Sequence, residues 1–197
     1  MLALPGCAAV VGAGSVVAVS SLEDRRTTGT QLDDGAIESR AASRIGERIG
    51  ERGYITVTAY NRAVLLTGQA WDEATRAEAE KLAAEVPNVR SVTNDIQVSG
   101  IASATSRAND AAITARVKGG FVNTKGLNAL HVKVVTEAGV VYLLGLVTEA
   151  EAEKATEIAR TTGGVRKVVR VFEYCTEADE RCSPPPAPAE KPKPPRA

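Results

Sequence analysis

The side chains that could do chemistry in this 197-residue chain are few, and their positions narrow the choices quickly. His131 is the only histidine, so a histidine-based hydrolytic triad or a multi-histidine metal site would have to be assembled from one residue. It reads as an ordinary histidine at the start of a strand. Carboxylates are paired at Asp33-Asp34 and recur along two charged helices, alternating there with Lys and Arg. A turn in a linker offers no pocket to shift a pKa, and helix acids among bases are solvated charge. Gly119-Gly120 and Gly163-Gly164 do not follow a strand in a GxGxxG pattern, so no nucleotide loop is indicated. Cys175 and Cys182 lie together near the C-terminus, either as a bridge or as half of a metal site with no third or fourth ligand in view. Arg116, Lys118 and Lys125 form a basic stretch in which Asp110 is the only acid between positions 109 and 130. That stretch is open to two readings, a contact for an anionic surface or a solvated helix end. No enzyme site, metal site or cofactor site emerges.

The elements that must carry these residues come from a repeat. AVLLTGQAWDEATRAEAEKLAAEVPNVRSVTNDIQV (63–98) and VVYLLGLVTEAEAEKATEIARTTGGVRKVVRVFEY (140–174) share one layout: apolar run, glycine, charged alanine-rich helix, short break, valine-spaced strand. Gly68 and Gly145 are 77 apart, and Val89 and Val165 are 76 apart. That period exceeds the roughly 20–50 residues of a solenoid unit, so two independent modules are expected. Each is near the size at which one core is only marginally stable, which favours docking between them. Net charge is zero, the pI is 6.6 and aromatics are 4%, so neither a global electrostatic pull nor a base-stacking surface points to nucleic acid.

Taken in order, residues 1–19 are an apolar leader or tether, and the run from Ala8 to Val19 is too short to span a bilayer. Residues 20–35 read as a polar linker ending in Asp33-Asp34-Gly35. The first module occupies 36–98. A helix from Ala36 to Arg52 places Ile37, Ala41, Ile45 and Ile49 on one face. ITVTAY (55–60) and AVLLTGQA (63–70) form a hairpin across Asn61-Arg62. Asp72 caps a second helix bearing Ala79, Leu82, Ala83 and Val86, and 89–98 is the third strand. A loop over 99–108 leads to the second module, 109–174. There Asn109 or Asp110 caps the first helix, Ile113, Val117 and Gly120-Phe121 continue its face, and Gly119-Gly120 should fray it. Strands at 130–137 and 139–147, a capping box Thr148-Glu149-Ala150-Glu151, and a last strand over 165–174 complete it. Residues 175–197 are a proline-rich, polyproline-like tail. The fold class is α+β: two α-β-β-α-β units, each a three-stranded mixed sheet on two helices.

Comparing the sheets separates the modules. Ile55, Val57, Val64 and Leu66 match Val132, Val134, Val141 and Leu143, and these should meet the helices. The opposite face is polar in the first unit (Thr56, Thr58, Thr67, Gln69, Thr93, Asp95). In the second it is apolar: Val135, Tyr142, Leu144, Leu146, Val169 and Val171. An apolar sheet face invites cover, so these six are the expected inter-domain surface.

The repeat, with a glycine closing the second hairpin strand, resembles the BON domain. Thr30-Gln31-Leu32-Asp33-Asp34-Gly35, Val57-Thr58-Ala59-Tyr60, Val64-Leu65-Leu66, Gly68-Gln69 and Leu144-Gly145-Leu146-Val147-Thr148-Glu149 resemble the tandem-BON lipoproteins over residues 7–174. Leu4-Pro5-Gly6-Cys7-Ala8 is similar to a lipobox, whose cysteine receives a thioether-linked diacylglycerol. Only six residues precede Cys7 and none is basic, whereas a signal peptide needs a charged segment and about 7–15 apolar residues, so a longer leader is expected. The resemblance implies an outer-membrane lipoprotein facing the periplasm, without catalysis. It would bind anionic phospholipid such as phosphatidylglycerol and support envelope integrity at division sites. The lipid surface falls on Ala112, Ala115, Arg116, Lys118, Gly119, Gly120, Phe121, Val122 and Lys125. Ala112 stands where the family has a tryptophan, and Phe121 is expected to take over insertion. In an oxidising periplasm Cys175 and Cys182 are expected to be bridged, closing a local loop beyond the fold that adds little stability. A rival function is a protein-interaction module that docks a periplasmic division or envelope protein during septal wall remodelling.

Overall fold

The computed structural model describes residues 24–100, 102–176, 179, 181 and 182. Cys7, the tether over 1–19 and the proline-rich tail from Ser183 lie outside the described residues. The first unit opens with helix α1 (Thr28–Ile49), capped by Thr27, whose Oγ1 accepts from the Thr30 amide at 3.1 Å. This corrects the expected onset at Ala36: residues 28–35, placed in a linker, are helical. The reason is the earlier cap, together with Asp34, which continues the buried stripe of Ile37, Ala41, Ile45 and Ile49. A short 3-10 turn (Gly50–Arg52) leads into β1 (Gly53–Tyr60), which pairs antiparallel with β2 (Ala63–Ala70). Helix α2 (Glu73–Ala84) starts at Asp72, whose carboxylate accepts from the Thr75 amide at 2.7 Å.

The single strand expected over 89–98 is two strands, β3 (Ser91–Asn94) and β4 (Gln97–Val98), both parallel to β2. The break falls beside Gly68, whose φ of 110° lies outside the strand region. A Cβ at Gly68 would stand 2.0 Å from the Tyr54 carbonyl oxygen, so only glycine fits. Ile96, in the gap, turns into the core.

The second unit repeats the order. Helix α3 (Ala104–Val122) is capped by Ser103, not by Asn109 or Asp110, and it runs unbroken through Gly119-Gly120, where fraying was expected. After a 3-10 turn (Ala129–His131) come β5 (Val132–Glu137) and β6 (Val140–Val147) in an antiparallel hairpin. Helix α4 (Glu149–Thr161) carries the capping box of Thr148 and Glu151, and β7 (Lys167–Tyr174) pairs parallel to β6 along its whole length.

Each unit has its own core between sheet and helices. Val64 and Leu66, with Ile55 and Val57 against them, fill the first. Val132, Val134, Val141 and Leu143 pack with Ile113, Val117 and Phe121 in the second. A third cluster draws on both units: Tyr60 and Leu65 of the first meet Tyr142, Leu144 and Leu146 of the second, with Val135, Val169 and Val171 half-buried around them. Cys175 and Cys182 form a disulfide, and both are buried in this cluster. The bridge therefore does not close a loop outside the fold, as expected; it fastens the chain after β7 over the seam. Burying the two cysteines with this cluster withdraws apolar surface from water.

Candidate functional site

The second unit's first helix ends in a surface built by three local devices. The Asn123 side chain donates to Gly119 O at 3.0 Å and Thr124 Oγ1 donates to Gly120 O at 2.8 Å, so the last carbonyls of α3 are satisfied as the chain leaves the helix. Lys154 Nζ, from α4, donates to Gly126 O at 3.3 Å and holds the following loop. Gly120 lets the helices close: a Cβ there would lie 2.5 Å from Ile158 Cγ2.

Of the residues expected at this surface, Ala112, Ala115, Arg116, Lys118, Gly119, Val122 and Lys125 are exposed, and Gly120 is half-buried. Phe121 is a correction. It is fully buried in the second core with Ile113 and Val117, because positions 113, 117 and 121 form the inward stripe of α3. It cannot insert into a bilayer; its neighbour Val122, 74% exposed, stands outward instead. Sequence reasoning missed Leu130, which is 45% exposed in the 3-10 turn rather than the first residue of a strand. Asn128, whose side chain accepts from the Leu130 amide at 3.0 Å, was the available signal for that turn.

The charge of this surface is cationic. Among the described residues Arg116, Lys118 and Lys125 form no ion pair. Asp110, the only acid between positions 109 and 130, is buried and occupied, accepting from the amides of Ala138 and Gly139 at 2.8 Å each, while Glu153 and Glu157 of α4 flank Thr124 and Glu157 pairs with Arg160.

A second missed group sits just ahead of α1. Arg25 donates to both Glu151 carboxylate oxygens at 2.6 and 3.0 Å and to Leu146 O at 2.9 Å. Arg26 pairs with Asp34 at 2.8 Å and places its guanidinium 4.1 Å from the Tyr60 ring centroid. Tyr60 Oη in turn accepts from the Leu146 amide at 3.3 Å. Burial pushes the Glu151 carboxyl up, but Arg25 and the Thr148 amide outweigh it and hold the group at about 2. His131 Nδ1 lies 3.4 Å from the same carboxylate. Two adjacent arginines just ahead of α1 thus tie the two units together.

Among the described residues no three His, Cys, Asp or Glu side chains converge as metal ligands, and no helix is long and apolar enough to cross a membrane. Comparison with known proteins follows the repeat. The family model described as BON domain matches twice, over residues 33–100 and 109–176. The outer membrane lipoprotein DolP of Haemophilus influenzae is 37% identical over 173 residues, covering 87% of this chain and 90% of that one. A 21 kDa hemolysin of Actinobacillus pleuropneumoniae is 36% identical over 77% of this chain and 79% of that one. Osmotically-inducible protein Y of Escherichia coli is 31% identical over 71% of this chain and 72% of that one.

Proposed function

We propose a membrane role that proceeds from one premise: the chain belongs to the BON-domain family. On this reading it is a lipoprotein held on the outer membrane through an acylated Cys7 and facing the periplasm. Helix α3 and the loop after it touch anionic phospholipid, phosphatidylglycerol among them, and the contact supports envelope integrity at division sites. The relative named an outer membrane lipoprotein, similar over nearly its whole length, supports the anchor. The observation that carries the lipid contact is the end of α3: an outward Val122, with Lys118 one turn before it on the same side and Lys125 in the loop that follows.

The energetics fit a reversible contact. Each cation near an anionic surface contributes about 1 kcal/mol. Lys118 and Lys125 with Val122 and Leu130 give modest affinity, which an acyl anchor raises by holding the site close to its target. The test uses the full chain carrying Cys7→Ser, sedimented with phosphatidylglycerol vesicles. Lys118→Glu and Val122→Asp are each expected to weaken binding about tenfold or more, since reversing one charge changes the attraction by about 2 kcal/mol. Both positions are exposed, so folding is not at stake. Binding unchanged in both variants would remove the lipid surface from α3. One dominant protein captured by crosslinking, with no sedimentation, would favour a protein-docking module instead.

A further inference from the structure

The first sheet carries its inter-domain face past the edge of the second unit. Gln69 marks the limit of cover: it is buried, its Nε2 donates to Glu137 Oε1 at 2.6 Å, and its Oε1 accepts from the Ala102 amide at 3.1 Å. One step outward on the same face the cover stops. Tyr54 is paired with Gln69 across the hairpin and is 44% exposed. Trp71 keeps the ladder, its amide donating to Arg52 O at 3.0 Å, and it lies two residues beyond Gln69, so it shares that face. It is 61% exposed and is the only tryptophan in the chain.

The surroundings say what this surface suits. Arg107, from the second turn of α3, holds its guanidinium 5.0 Å from the Tyr54 ring centroid. The acids that follow Trp71 are engaged: Asp72 caps α2 through the Thr75 amide, and Glu73 pairs with Arg76 at 3.4 Å. Arg52 pairs with Glu78 at 3.0 Å. With Glu73 and Arg52 each ion-paired, what stands out is two aromatics, each with an apolar body and a polar tip. Such side chains settle at the headgroup level of a bilayer, ring inward and N–H or O–H toward water. A near-neutral surface of this kind matches zwitterionic headgroups, unlike the cationic end of α3. Both belong to one helix's surroundings: roughly 22 Å of α3 separates Arg107 from Val122 at about 1.5 Å per residue.

We infer that Trp71 and Tyr54 form a second membrane contact that inserts into the headgroup zone of a zwitterionic bilayer. The inference rests on the membrane-facing reading proposed above and adds to it a contact that needs no anionic lipid. Because Trp71 is the sole tryptophan, its fluorescence reports on this surface alone. The full chain carrying Cys7→Ser is mixed with phosphatidylcholine vesicles, with and without phosphatidylglycerol, and with phosphatidylcholine brominated near the headgroup. The expected result is emission moved to shorter wavelength, quenched by the brominated lipid, and retained on pure phosphatidylcholine by the Lys118→Glu variant. Trp71→Ala should lower affinity for phosphatidylcholine vesicles several-fold. Sedimentation with phosphatidylglycerol vesicles while Trp71 emission stays as in buffer would overturn the second contact and leave the α3 site standing. A Trp71 response on phosphatidylcholine without any gain from phosphatidylglycerol would do the reverse. No sedimentation and no response would overturn both.

Discussion

Asp34 and Asp110 do the same work in the two units, and it is structural. Each hairpin turns through two residues with positive φ, Asn61 (50°) and Arg62 (65°) in the first and Ala138 (48°) and Gly139 (75°) in the second. That is the turn geometry matched to strand twist, and Asn or Gly adopts it most readily. Arg62 and Ala138 do not, and a buried carboxylate from the preceding helix makes up the difference. Asp34 accepts from the Asn61 and Arg62 amides at 2.8 and 2.7 Å, as Asp110 does from Ala138 and Gly139. Replacing either by Ala leaves two turn amides without their charged acceptor and is expected to cost about 1–3 kcal/mol, read as a fall in the denaturation midpoint. Asn, which keeps one acceptor oxygen, should cost less. In the sequence Asp34 looks like solvated charge, because its partner lies 27 residues on and no local periodicity marks it. The repeat did hold a clue, since Asp34 and Asp110 are 76 apart, the same offset as the modules themselves. Phe121 shows the converse. Its type suggests a membrane wedge, and only the phase of the helix decides that it points inward.

At the scale of elements, glycines decide how closely backbones approach. Gly145 repeats the role of Gly68: a Cβ there would lie 2.4 Å from the His131 carbonyl oxygen. The adjacent pair in α3 separates propensity from packing. Gly119 has nothing within 4 Å of its would-be Cβ, so Gly119→Ala should stabilise the helix by about 0.5–1 kcal/mol. Gly120→Ala gains the same propensity but drives its methyl against Ile158, and a net loss of about 1–2 kcal/mol is expected. Trimming the neighbour with Ile158→Val would not help, since the obstructing Cγ2 remains; Ile158→Ala should relieve it. Paired melting curves of the two glycine variants check the opposite signs. Most elements were legible from period and caps: the hairpins, α2 behind Asp72 and α4 behind its capping box all follow local rules. The starts of α1 and α3 were not. Thr27 and Ser103 are weak signals among many hydroxyl residues, and the turns ahead of the helices carry no apolar phase to expose them.

For the whole molecule, the seam between units is guarded by two carboxylates with opposite responses to acid. Glu151 is held at about 2 although burial pushes it up, so its bond to Arg25 contributes stability above its ordinary value of 4.5 and loses it as pH falls toward 2. Glu137 is shifted the other way. Burial raises it, the Gln69 amide and Arg107 offset part of that, and Asp110 adds to it. A raised carboxyl is tolerated best when protonated, so its stabilising share is complete below the ordinary value and is lost as pH rises through the folded one. The sum is a seam that tightens from neutral pH into mild acid, then loosens in strong acid. Glu137→Gln keeps an acceptor for Gln69 without the charge, and at pH 7 it should stabilise the fold by on the order of 1 kcal/mol. That gain should shrink with falling pH and vanish below about 4.5, the ordinary value for the group. Glu151→Gln should be destabilised at neutral pH, with the gap from the wild type closing only between 4.5 and about 2. Denaturant titrations of the three proteins across this range separate the two groups. A Glu137→Gln gain that persists at pH 4, or no gain at pH 7, would show that the seam does not bury that charge at a cost.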